Sequence, residues 1–166
     1  MPVRYRRSRL RATVALVLLR PLILVLTGVA LLVSGCGGGD QEATDGYVER
    51  VNAVQQRFVE SAEEIGREAG DARRIGQALD RLRRSVDQTA DEIGRIKAPA
   101  EVVPEHRRLV EVLRAYGRQI RTARAGVRSR DPARQARAVE QLSRAVKRTS
   151  EQFTKAIDSI NAKLRS

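Results

Sequence analysis

Two patterns of apolar positions divide the chain. From Thr13 to Val33 the residues are almost continuously apolar, interrupted only by Arg20-Pro21. From Asp45 onward apolar residues recur in alternating steps of three and four, the spacing that lines them along one stripe of an α-helix. This second pattern repeats four times. Tyr47, Val51, Val54, Phe58, Ala62, Ile65 and Ala69 form the first stripe, and Ile75, Leu79, Leu82, Val86, Ile93 and Ile96, with Thr89 in register, form the second. Leu109, Val110, Leu113, Tyr116, Ile120, Ala123 and Val127 make the third. The fourth is Val139, Leu142, Val146, Phe153, Ile157, Ile160 and Leu164, with Thr149 in register. No segment alternates with a period of two, so strands are not expected.

Turn and cap residues place the boundaries. Gly70 suits the end of the first helix and Asp71 the cap of the second, because a carboxylate accepts the orphan N–H groups of a first turn. Ala98-Pro99-Ala100 separates the second helix from the third, with Pro104 tolerable in the turn that follows. Asp131-Pro132 combines an N-cap acid with proline at the first helical position, where its missing N–H costs nothing. The spacing predicts helices over 45–69, 72–97, 101–128 and 132–164. Helices of similar length joined by short turns favour an all-α fold, an antiparallel up-down-up-down four-helix bundle following an N-terminal signal or anchor segment. An elongated three-helix arrangement with a detached first helix is the alternative. Glycines within the helices (Gly66, Gly76, Gly94, Gly117, Gly126) each cost roughly 1 kcal/mol against alanine. They point to close helix contacts or local bends.

The leading segment has a different logic. Residues 1–12 are basic, an apolar stretch follows, and Val33-Ser34-Gly35-Cys36 supplies small residues at its end. That order makes a secretory signal, and the basic flank sets orientation because Lys and Arg stay on the cytoplasmic side. Val33-Ser34-Gly35-Cys36 resembles the lipobox of bacterial lipoproteins, with Val33 where the family usually has Leu. The resemblance implies that the Cys36 thiol receives diacylglycerol, the only covalent group expected, and that a peptidase cuts before it. Residues 1–35 are then a removed signal peptide. Residues 36–44, Gly-rich and polar, are a flexible tether, and residues 45–166 are the helical domain. The expected location is the cell membrane, lipid-anchored and facing the extracytoplasmic side. A retained membrane helix is the competing reading, since about 20 apolar residues span a bilayer core; Arg20 weakens it. Arg6-Arg7 suggests twin-arginine export only weakly, because Arg9 stands where that pathway keeps an apolar residue.

Charge refines this picture. The formal net charge is +12, and 28 of the 32 basic residues are Arg. Residues 1–35 hold six Arg and no acid, which leaves 26 bases against 20 acids and a net +6 for the remainder. On the third helix Arg107, Arg114, Arg121 and Arg128 recur every seven residues, with Arg118 and Arg124 alongside on the face away from the apolar stripe, and Arg73, Arg74, Arg81, Arg83 and Arg84 crowd the second. One reading is contact with anionic head groups or wall polymers; the plainer one is a solvated face interspersed with acids such as Glu111. Nucleic acid is disfavoured by location and by the shortage of aromatic residues for stacking.

Catalytic constellations are absent from the sequence. The single cysteine excludes an internal disulfide and is the residue the lipobox uses. His106, the lone histidine, has no second Glu-x-x-His pair with which to build a bundle metal site, and a solvated or helix-terminal position is expected for it. There is no Gly-x-Ser-x-Gly elbow and no phosphate loop, so no enzyme is expected. Ile96 to Val110, a proline-containing turn followed by His and Leu, resembles small secreted helical proteins of unknown function from high-GC bacteria, a likeness that carries no activity with it. The expectation is a non-catalytic binding or envelope-associated module, with an unidentified envelope protein among its partners. The alternative is a carrier of a small apolar ligand held between the helices.

Overall fold

The structure is a computed structural model and describes residues 40–68 and 74–166. It is all-helical across these residues, with four helices packed against one another: α1 Asp40–Glu68, α2 Ile75–Arg95, α3 Val103–Val127 and α4 Pro132–Leu164. A short 3-10 turn, Ala100–Val102, leads into α3. Helix α1 starts at Asp40, so residues 40–44, expected in the tether, are helical. Helix α2 is shorter than expected at both ends, and Gly70 and Asp71 lie outside the described residues. The residue before α2 is Arg74, which supplies no side-chain cap. Helix α4 has the expected bounds for the expected reason: Asp131 Oδ1 accepts from the Ala133 N–H at 2.9 Å, with Pro132 in the first turn.

The stripes meet in one core. Val51, Val86, Leu109, Ile120, Ile157 and Ile160 are each almost wholly covered, and all four helices contribute. Complete burial of such a side chain is worth about 1.5–3 kcal/mol. Val102, in the 3-10 turn, is also fully buried and plugs the α2–α3 corner. At the start of α4 the periodic pattern is displaced by one residue: Ala138 is buried and Val139 only half-covered. Gly126 of α3 explains it, because an added Cβ there would overlap the Ala138 Cβ. The two backbones approach so closely that only the smaller neighbour fits.

Interhelix contacts fix the register. Ser85 Oγ donates to Ser61 Oγ at 3.0 Å, and Arg57 pairs with Glu92 at 2.8 Å, between α1 and α2. Between α2 and α3, Asp91 meets Arg114 at 3.5 Å and Asp80 meets Arg124, while Asp87 lies against the backbone of Gly117. Between α3 and α4, Glu105 pairs with Lys163 at 2.9 Å and Gly126 lies against Ala138.

Candidate functional site

Val33, Ser34, Gly35 and Cys36 lie outside the described residues. Of the basic residues expected at the surface, Arg107, Arg114, Arg118 and Arg121 on α3 and its C-cap Arg128 are exposed, whereas Arg124 is half-buried. They do not form one patch of unpaired charge. Arg114 leans toward α2, where Asp91 meets it, and nearby Arg124 Nε lies 2.5 Å from Asp80 Oδ1 without hydrogen-bond geometry. The heptad stripe therefore runs beside acids of the neighbouring helix, which sequence spacing on α3 alone does not reveal.

A different division of charge emerges once the elements are known. Residues 40–102, which include α1 and α2, carry 10 bases and 14 acids, whereas residues 103–166 carry 16 bases and 6 acids. One half of the bundle is net −4 and the other net +10. This asymmetry was readable from the sequence by counting charge per helix; the net charge of the whole domain conceals it.

The basic half holds a groove of about 370 Å³ between α3 and α4. Its apolar lining is small: Ala115, Ala123, Leu142 and Ala145. Arg118 from α3 and Arg148 from α4 line it together with Gln119, Thr122 and Gln141, and no acid is among the lining residues. Gln119 Oε1 is buried and has no hydrogen-bond partner among the described residues. An unsatisfied buried acceptor costs about 1–3 kcal/mol, so the groove wall contains unspent hydrogen-bonding capacity. A second groove of about 380 Å³, between α1 and α2, differs in kind. Its Arg57, Arg81 and Arg84 share the lining with Glu64 and Glu92, and Arg57 already donates to Glu92 at 2.8 Å. That hydrogen bond, with another from Gln88, holds the Glu92 carboxyl below its usual range.

The cavity bounded by Val51, Phe58, Ile93, Leu113, Tyr116 and Phe153 measures about 20 Å³, room for roughly one water. Small-molecule sites occupy about 300–1,000 Å³. This volume lends the carrier reading no support.

His106 is helix-terminal, one of the two expected positions, but it is not solvated. It stands in the first turn of α3 but is only 7% exposed, and its Nδ1 lies 3.2 Å from the hydroxyl of fully buried Tyr47. The rings meet edge-on with centroids 5.7 Å apart. Burial lowers the imidazole pKa and raises that of the Tyr47 phenol to about 12. The phenol thus keeps its proton, and donation to a neutral Nδ1, with the ring proton on Nε2, satisfies both groups. Periodicity missed His106 as a core position because His is intermediate in burial tendency; the signal was its spacing of three before Leu109. Beside it the Glu105 carboxyl is held low, chiefly by the hydrogen bond from Lys163. No group of three or more His, Cys, Asp or Glu suited to a metal occurs among the described residues, and no described helix is long and apolar enough to cross a membrane.

Comparison of the chain with protein-family models, with curated proteins and with solved structures gives no match.

Proposed function

We propose that this chain is a lipid-anchored, extracytoplasmic, non-catalytic binding module whose basic half contacts an anionic partner in the cell envelope. The carrying observation is the charge division, net −4 over residues 40–102 against net +10 over residues 103–166. A surface of one sign raises the local concentration of the opposite sign. The groove in that half contains cationic and neutral hydrogen-bonding groups and no acid. The lipobox resemblance at Val33-Ser34-Gly35-Cys36 supports the anchor, with diacylglycerol on Cys36 and the domain outside the cytoplasmic membrane face.

The up-down-up-down topology belongs to the same reading. Low-numbered residues of one helix meet high-numbered residues of the next in each consecutive pair: Arg57 with Glu92 and Ser61 with Ser85, Asp80 with Arg124 and Asp91 with Arg114, Glu105 with Lys163 and Gly126 with Ala138. Contacts that descend in one partner as they rise in the other support antiparallel neighbours. Helices α1 and α3 then start at the same end, consistent with the Tyr47–His106 contact.

The test is retention on an immobilised polyanion of the full chain bearing Cys36→Ala, with Arg4, Arg6, Arg7, Arg9 and Arg11 replaced by Gln so that the N-terminal arginines do not account for it. Retention is expected at low ionic strength and should fade as salt shortens the screening length from about 10 Å at 0.1 M toward about 3 Å at 1 M. Absence of retention, or retention indifferent to salt, would remove the basis for this function.

A further inference from the structure

We infer that the α3–α4 groove is a binding site for a strand of anionic glycan, with Arg118 and Arg148 pairing its phosphate or carboxylate groups and Gln119, Thr122 and Gln141 meeting its hydroxyls. The inference rests on the function proposed above and gives that binding a place and a ligand class. Two observations support it.

The first is chemical. A guanidinium offers a planar fork of donors that matches phosphate and carboxylate oxygens, and one Arg lines the groove from each helix. The same lining includes two carboxamides and the Thr122 hydroxyl, which donates to the Arg118 carbonyl and keeps its acceptor lone pairs, a set that suits sugar or polyol hydroxyls. The buried, unpartnered Gln119 Oε1 shows that the protein itself does not use all of this capacity. An anionic polypeptide would supply carboxylates but no regular hydroxyls.

The second is contrast. The α1–α2 groove has nearly the same volume, yet Glu64 and Glu92 face its arginines, and Arg57 is already paired. Cationic groups without lining acids occur in the α3–α4 groove alone of the two.

The experiment uses the full chain in detergent and four immobilised probes: polygalacturonate, poly(glycerol phosphate), polyglutamate and glycerol phosphate as a lipid head-group mimic. Binding to polygalacturonate or poly(glycerol phosphate), well above that to polyglutamate, is expected. The double variant Arg118→Gln/Arg148→Gln should weaken it about tenfold, while the charge-matched Arg107→Gln/Arg121→Gln should change it by about twofold or less; circular dichroism confirms that both remain helical. Equal losses in the two variants, or equal binding to polyglutamate, overturn the groove assignment and leave the proposed function standing. Retention on glycerol phosphate without binding to either of the first two polymers does the same. Failure to bind any of the four overturns both.

Discussion

The Tyr47 hydroxyl and His106 Nδ1 lie 3.2 Å apart and join α1 to α3, two helices separated by the whole of α2 in sequence. The pair buries a titratable ring at the bundle end nearest the N-terminus of α1. Its pKa lies below the ordinary value of 6.5 because burial disfavours the charged form. The sign follows from proton linkage: below pH 6.5 the unfolded chain takes up a proton that the folded chain resists, so folding stability falls as pH drops from there. Glu92 and Glu105 have lowered pKa values, so their contributions are fully present above 4.5, their ordinary value, and are lost as pH falls below it. Urea midpoints should therefore decline between pH 7.5 and about 5 because of His106, and His106→Gln should flatten the decline across that window. An unchanged slope in the variant would locate the pH dependence elsewhere.

Two glycines should respond to alanine in opposite directions. At Gly76 an added Cβ meets nothing within 4 Å, so Gly76→Ala should gain up to about 1 kcal/mol from helix propensity and reduced unfolded-state entropy. At Gly126 the added methyl would overlap the Ala138 Cβ. Helix propensity still favours alanine there, but forced separation of two packed helices costs about 1–3 kcal/mol. A net loss in the urea or thermal midpoint is the expected outcome, and stabilisation at Gly126 would show that the α3–α4 contact is looser than described.

The four stripes and the α4 start were legible in the sequence because they rest on local rules. A 3.6-residue period needs only neighbours along one helix, and the Asp131-Pro132 cap needs only its own first turn. What the sequence withheld depends on pairs from different helices. Val139 fits the period, yet Ala138 takes the buried place, because Gly126 arrives from α3. The Arg107–Arg128 stripe is a property of α3 alone, whereas its partial neutralisation comes from Asp91 on α2. The groove required Arg118 and Arg148, thirty positions apart, to be brought to one surface. His106 looked solvated until Tyr47 supplied the partner that lets it be buried.

Removing the α4 cap tests the clearest local rule. Asp131 Oδ1 accepts from the Ala133 N–H at 2.9 Å, satisfying one of the orphan donors of the first turn. Asp131→Ala should cost about 0.5–2 kcal/mol in chemical denaturation, and Asp131→Asn should recover most of it. If Asn fares no better than Ala, the carboxylate contributes mainly through its charge, with Arg134 at 3.6 Å as the partner.

The anchor has a direct chemical assay. Only a thiol forms the thioether to diacylglycerol, and the chain has one cysteine, so every labelled thioether lipid must sit on Cys36. Cells expressing the full chain and fed an alkyne fatty acid should label it, and Cys36→Ala should abolish the label and leave residues 1–35 uncut. A retained membrane helix predicts no label even on the unaltered chain, because the apolar stretch from Thr13 to Val33 would hold it in the membrane without any acyl chain. Mass measurement separates the two readings further. Cleavage before Cys36 removes residues 1–35 together with six arginines, so a mature protein beginning at a lipid-modified Cys36 supports the anchor, and an intact N-terminus with no acyl mass refutes it.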